Sequence, residues 1–453
     1  MDAYVVLMKL RNSPLFWMIV LGLIARFVVG ILFTFPYDCG NWAKIAETIV
    51  AGEDLYERPD NYYAPIWGYL LSFLAMIYTQ LGGSSFANQF DELTILDGFR
   101  VSYYGSVMIE PAFGMLIKTT LFLVDLAVAF VIRRIVLELG SSERRANVAF
   151  GIWFLCPLVI YCSGVYLIFD TIEVLFLALA FLMLIWDRPF ICGAMMLMAG
   201  MVKPFAFYLV PLFLAYFLLS HPGVKEKLNY FALTAGGFLS MFLVIFMPVL
   251  VNGEFMDSLT FLTGRVDSAG TVIDNGMDHI ISVIINFESQ VFMWLQPVII
   301  GAVVWLAVRY YRKGEQDMDR LIKYAAISFI IVFLWPETQQ CYYLLIVFMI
   351  ALMVLKWEPR KVAGIMLLFT GLSVFYMLLT HNMSVLLPLA AYTDLISIDW
   401  VLDKLFSFNL ATDIFGGNFY DDSRRIVQVV IAGVMLYLGY MFIKWGEDGR
   451  ASS

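Results

Sequence analysis

Three ionisable residues stand out by where they fall in the chain. Asp38 sits within Pro36–Gly40, directly after an apolar run from Leu15 to Phe35 and with almost no polar lead-in. A carboxylate fixed at such a boundary is partly desolvated, so it binds a proton more tightly and suits general-base work. Acidic residues in a loop are commonly just solvated, and that reading covers Glu47, Glu53, Asp54, Glu57 and Asp60 further along. Asp170 opens the apolar segment Phe169 to Trp186, where a carboxylate serves either a site or the helix dipole. Lys203 interrupts the apolar stretch Phe190 to Ser220. Charges inside such stretches are costly and tend to mark function, so Lys203 is read as an anion-binding group, with snorkelling to the interface as the alternative.

Other polar residues are candidates to join them. Arg265, Asp267, Asp274, Asp278 and His279 fall in one polar stretch, and Glu337, Gln339, Gln340 and Tyr343 follow Pro336 at the end of an apolar run. Arg26, Lys118 and Asp125 lie inside apolar runs. Lys118 and Asp125 are spaced to share one helix face, and a structural role suits them best. The three histidines form no HExxH-like cluster, so a built-in metal site is not expected. The five cysteines show no CxxC spacing and read as small hydrophobes.

The elements that must carry these residues are membrane helices. Of 453 residues, 61% are hydrophobic and 15% charged, and mean hydropathy is +0.82. A soluble domain averages ~45–50% apolar and ~25% charged, so this chain needs lipid as solvent for much of its surface. In lipid each apolar run must satisfy its own backbone, which means an all-α polytopic fold. The net charge of −8 argues against nucleic acid as a partner. Lys9 and Arg11 precede the first run without a small-residue cleavage site, so that run is expected to be a retained helix.

Basic clusters at Lys9/Arg11, Arg133/Arg134, Arg144/Arg145, Arg188, Lys225/Lys227, Arg309–Lys323, Lys356–Lys361 and Lys444/Arg450 should be cytoplasmic. Keeping them on one side gives about twelve crossings with both ends inside. It also requires that Tyr63 to Leu81, with Pro65, Gly68 and its share of Tyr and Trp, lies in the outer interface rather than spanning. Phe190 to Ser220 becomes two short legs broken at Lys203–Pro204. Arg424 and Arg425 would then sit outside; a further crossing near Ser384 to Tyr392 would bring them in but expel Lys444. The chain reads as one membrane domain over residues 1–453, with Asp38, Asp170 and Lys203 on its outer face.

Several segments resemble the GT-C superfamily of membrane glycosyltransferases. These are the first-loop acid Asp38, the run AKIAETIVAGEDLYERPDNYYAPIWGYLL, the lysine-and-aspartate helix IKTTLFLVDLAVAFVIRR, CPLVIYCSGVYLIFD and AGMVKPFAFYLVP. Departures are a single rather than double acid at Asp38, followed by Cys39 and Gly40, and Tyr166-Leu167-Ile168 where the family has Trp-Gly-Gln. The resemblance implies a GT-C-like module over residues 1–290 with additional C-terminal helices over 291–453. It implies a polyprenyl- or dolichyl-phosphate sugar donor, mannose above all, and a glycolipid, glycan or protein acceptor. It makes Asp38 the base and Lys203 and Arg265 the donor-phosphate ligands; Tyr62, Tyr63, Asp170, His279, Gln339 and Tyr343 are read as substrate-binding residues. No cofactor is called for and a divalent metal is optional. A plasma-membrane protein with an extracytoplasmic site is expected; a transporter or flippase of a lipid-linked saccharide, or a scaffold that has lost catalysis, is the alternative.

Overall fold

The computed structural model describes residues 13–56, 63–89, 107–220, 223–259, 297–314, 316–334, 339–410 and 419–445. It is an all-α membrane protein: five described helices are long and apolar enough to cross a bilayer, six if one bent pair counts as a single span. Among the described residues the one departure from all-α is a small antiparallel strand pair, β1 (Ala87–Gln89) with β2 (Val107–Ile109), pairing Ala87 with Ile109.

Prolines punctuate the fold. Proline opens α1 (Pro14–Leu32), α2 (Pro36–Val50), α3 (Pro65–Gln80) and α4 (Pro111–Glu138). At the first helical position its missing N–H costs nothing and its fixed φ already suits the helix. Ser142 caps α5 (Glu143–Phe154) by accepting from the Arg145 N–H. Pro157 then starts α6 (Pro157–Tyr161), and α5 and α6 with the turn that follows are bent by 41°. That turn, Cys162–Tyr166, is a π-helical turn ending at Leu167 in the left-handed region, φ 51°.

Beyond it come α7 (Asp170–Ile185) and α8 (Pro189–Val202), then a 3₁₀ turn (Pro204–Leu209) leading into α9 (Val210–Ser220). The expected break at Lys203–Pro204 is therefore present. Next are α10 (Val224–Asn252), α11 (Phe255–Ser258), α12 (residues 297–312) and α13 (Met318–Phe333). A 3₁₀ turn (Gln340–Tyr343) precedes α14 (Leu344–Leu352), followed by α15 (Pro359–His381), α16 (Leu387–Tyr392), α17 (Ile398–Leu410) and α18 (Phe419–Ile443). The six residues of α16 reach only ~9 Å, far short of a ~30 Å hydrocarbon core.

The helix ends gather into two groups. In one, Arg133 bonds Asn147, Arg145 donates to the carbonyls of Val354 and Leu355, Lys356 pairs with Asp319, and Lys323 donates to the Ile443 carbonyl. In the other, Thr34 N–H donates to Val385 O, Phe35 N–H to Val165 O and Trp42 Nε1 to Leu167 O. The first group is rich in Arg and Lys, and the second holds the candidate site.

Candidate functional site

Asp38 belongs to the first turn of α2, a correction to its expected place in a loop. Pro36 ends the extended link from α1 and starts the new helix at once, so the carboxylate projects from a rigid element. It is 7% exposed. There a carboxylate favours the helix dipole, and the Tyr166 hydroxyl donates a hydrogen bond to it. Tyr166 comes from the π turn, and such turns occur often at functional sites. Leu167 has no glycine-like freedom, so its left-handed backbone costs of order 1–3 kcal/mol and persists because its surroundings hold it.

The same turn delivers Phe169 and Asp170. Asp170 Oδ2 lies 2.7 Å from Lys203 Nζ, both side chains being 2% exposed. Lys203 does not snorkel; its ammonium sits 4.4 Å from the Tyr342 ring and 5.5 Å from the Phe169 ring. Glu173, one turn beyond Asp170, accepts from the Ala206 N–H and so caps the 3₁₀ turn after Lys203. Two carboxylates of α7 thus bind the two sides of the Lys203–Pro204 break. The charge read as available for an anion is already matched by Asp170.

An aromatic wall adjoins the pair. Trp67 stacks on Phe169 at 4.4 Å, Tyr63 meets Phe169 edge-on at 5.1 Å, and Trp42 packs against Tyr63, Trp67 and Phe169. Tyr63 is held in turn, because its carbonyl accepts from the Tyr56 hydroxyl. Burial, then neighbouring Tyr69 and Glu254, pushes the Tyr56 hydroxyl well above its ordinary pKa, so it remains a donor. On the other side of Tyr166, His381 stacks on Phe35 at 3.8 Å and shares a hydrogen bond with the Tyr161 hydroxyl.

Among the described residues, buried Asn41 Oδ1, Asp170 Oδ1 and Trp67 Nε1 find no hydrogen-bond partner. Leaving such atoms unsatisfied costs about 1–3 kcal/mol each. Asn41 follows Asp38 by three residues on the same helix, so both acceptors share one face.

The structure therefore brings together Asp38, Tyr63, Asp170 and Lys203. Tyr343 is buried in the turn before α14, packed on Phe369, while its neighbour Tyr342 is the residue that faces Lys203. Gln339 precedes that turn and accepts from the Cys341 thiol. Tyr62, Arg265 and His279 lie outside the described residues. Sequence reasoning missed Tyr166, Phe169, Tyr342 and His381, although the first two lie within the quoted segment CPLVIYCSGVYLIFD.

The intramembrane charges hold the scaffold, as expected. Lys118 Nζ donates to Gly30 O at 2.5 Å, Phe33 O at 3.1 Å and Thr34 Oγ1 at 2.6 Å, fixing the link that leads to Asp38. Asp125 pairs with Arg26 at 2.9 Å. All five cysteines are buried, and none is in a disulfide. Among the described residues no three His, Cys, Asp or Glu side chains are grouped as metal ligands would be.

No family model matches the chain, and no curated protein matches it.

Proposed function

We propose that this protein is a lipid-phosphate-sugar-dependent glycosyltransferase acting at the membrane face that carries Asp38. One observation carries the reading: a buried carboxylate on a rigid helix start accepts from Tyr166, and the turn that carries Tyr166 leads directly to Asp170 of the buried Asp170–Lys203 pair. The resemblance of the segments around these residues to GT-C enzymes supplies the reaction class.

In this scheme Asp38 takes the proton of an acceptor hydroxyl as its oxygen bonds to the anomeric carbon. The bond from that carbon to the phosphate oxygen of a polyprenyl- or dolichyl-phosphate donor breaks, the configuration inverts, and the carrier leaves as a phosphate monoester. Fixed cations where charge develops are often the largest catalytic contribution. Lys203 contributes to the extent that the phosphate shares it with Asp170, and Arg265 is its candidate companion. Asn41 Oδ1 and Asp170 Oδ1 are acceptors suited to sugar hydroxyls. The balance needs no cofactor. Mannose is the preferred sugar, and a glycolipid, glycan or protein the acceptor.

The same reading sets the topology. About twelve crossings place the Arg- and Lys-rich helix ends in the cytoplasm, α3 lies along the outer interface, and the site faces the extracytoplasmic side of the plasma membrane. Residues 1–290 form the GT-C-like module within a single membrane domain.

The test is transfer of radiolabelled mannose from polyprenyl phosphate to a crude lipid acceptor pool by purified protein. Asp38→Asn should lower the rate by about 10²–10⁴-fold, the range of general-base catalysis. Undiminished transfer by the variant rejects Asp38 as the base. Translocation of the lipid-linked sugar across vesicles, without transfer, would favour a flippase.

A further inference from the structure

Asp125 lies midway along α4 and is fully buried. Its Oδ2 accepts from Arg26 Nε at 2.9 Å and from Ser163 Oγ at 2.8 Å, and its Oδ1 accepts from Thr171 Oγ1 at 2.6 Å. Its backbone carbonyl accepts from Trp153 Nε1. Arg26 also donates to the carbonyls of Gly22 and Phe154, the latter at the C-terminal end of α5, and lies over the Phe154 ring.

Ser163 and Thr171 are the two shoulders of a single turn. Between them lie Tyr166, which bonds Asp38, the left-handed Leu167, Phe169, and Asp170, which pairs with Lys203. One carboxylate therefore ties both ends of the turn that builds the site. A buried ion pair alone is weak evidence of stability, because desolvation offsets its attraction and an apolar pair of similar volume serves as well. An apolar pair, however, has no oxygens to accept from the two hydroxyls, and so cannot fix the turn's width.

We propose that Asp125, paired with Arg26, is a positioning residue: it clamps Ser163 to Thr171 and thereby sets Tyr166 against Asp38 and Asp170 against Lys203. Its kinetic consequence rests on the glycosyltransferase reading, while its geometric consequence does not.

The experiment compares hydrogen–deuterium exchange of the full-length chain with that of Arg26→Met/Asp125→Leu, which removes both charges together. Peptides covering residues 163–171 should exchange at least roughly tenfold faster, with α8 and α13 within about twofold. Wild-type protection of the turn, or equal acceleration throughout the bundle, overturns the proposal. If the double variant does not fold, Ser163→Ala/Thr171→Val, which spares the ion pair, is read in the same way.

Thr171→Val should lower kcat for sugar transfer about tenfold with KM within about twofold, and Thr171→Ser should restore it. A wild-type chain that transfers sugar, beside a Thr171→Val variant that does so equally well, also overturns the proposal. A wild-type chain that transfers none defeats the glycosyltransferase reading, and exchange alone then decides the clamp.

Discussion

The Asp170–Lys203 pair is the residue-scale feature with the clearest energetic consequence. Removing one partner strands the other as a buried, uncompensated charge, which costs about 3–5 kcal/mol. Lys203→Met should therefore lower the melting temperature of the purified protein sharply. Adding Asp170→Leu should recover at least about 1 kcal/mol, because the two residues are directly coupled. Additive losses would show that the pair is not the closed contact seen here. The sequence marked Lys203 by its isolation among apolar residues, and marked Asp170 by its place at the head of a run. It did not pair them, because the match depends on the return of α8 beside α7. Likewise the spacing of Lys118 and Asp125 correctly put both on one face of α4. Their partners, Arg26 on α1 and Gly30, Phe33 and Thr34 at and just beyond its end, are separated from them by a long stretch of chain and carry no local signal.

At the scale of elements, hydropathy and proline were the legible features. The Lys203–Pro204 break was read from one proline, and the same logic applied to Pro36 would have found α2 where a loop was expected. The π turn was not legible: Leu167 adopts φ 51° without the glycine that normally announces such a backbone. Close helix packing is another local feature with distant effects. A Cβ on Gly193 would lie 1.9 Å from the Thr234 carbonyl oxygen, and one on Gly237 would lie 1.8 Å from that of Phe190. Here α8 and α10 meet backbone to backbone, as small residues allow in membrane helices. Gly193→Ala and Gly237→Ala should each destabilise the protein by about 1–3 kcal/mol, the range for overpacking. Thermal unfolding in detergent measures this, and an unchanged midpoint would contradict the close approach. Because α8 ends at Lys203, either substitution should also disturb the site.

On the scale of the whole molecule, charge was the readable signal. The Arg- and Lys-rich helix ends meet one another through Arg145, Lys356, Asp319 and Lys323. That grouping is what a positive-inside arrangement requires of a bundle. A cysteine at exposed Glu53 should react with a membrane-impermeant maleimide on intact cells, whereas one at exposed Arg144 should react only after permeabilisation. Labelling of both from outside would break the proposed alternation. Composition established the class of molecule because lipid admits few architectures. The pairing of β1 with β2 carries no sequence signal, since three-residue strands show no periodicity above background.

The pairing of Arg26 with Asp125 also has a temporal side. The two residues are 99 positions apart, so at ~5–20 residues per second synthesis reaches Asp125 about 5–20 s after Arg26. Throughout that interval the first helix holds an arginine without its counter-ion, a burden of ~2.5–3.5 kcal/mol at mid-helix on the insertion scale. Its other residues must carry it, and a mean hydropathy of 2.5 over α1 equips it to do so. The first helix must therefore insert on its own greasiness, and it acquires its electrostatic partner only when the second long span arrives.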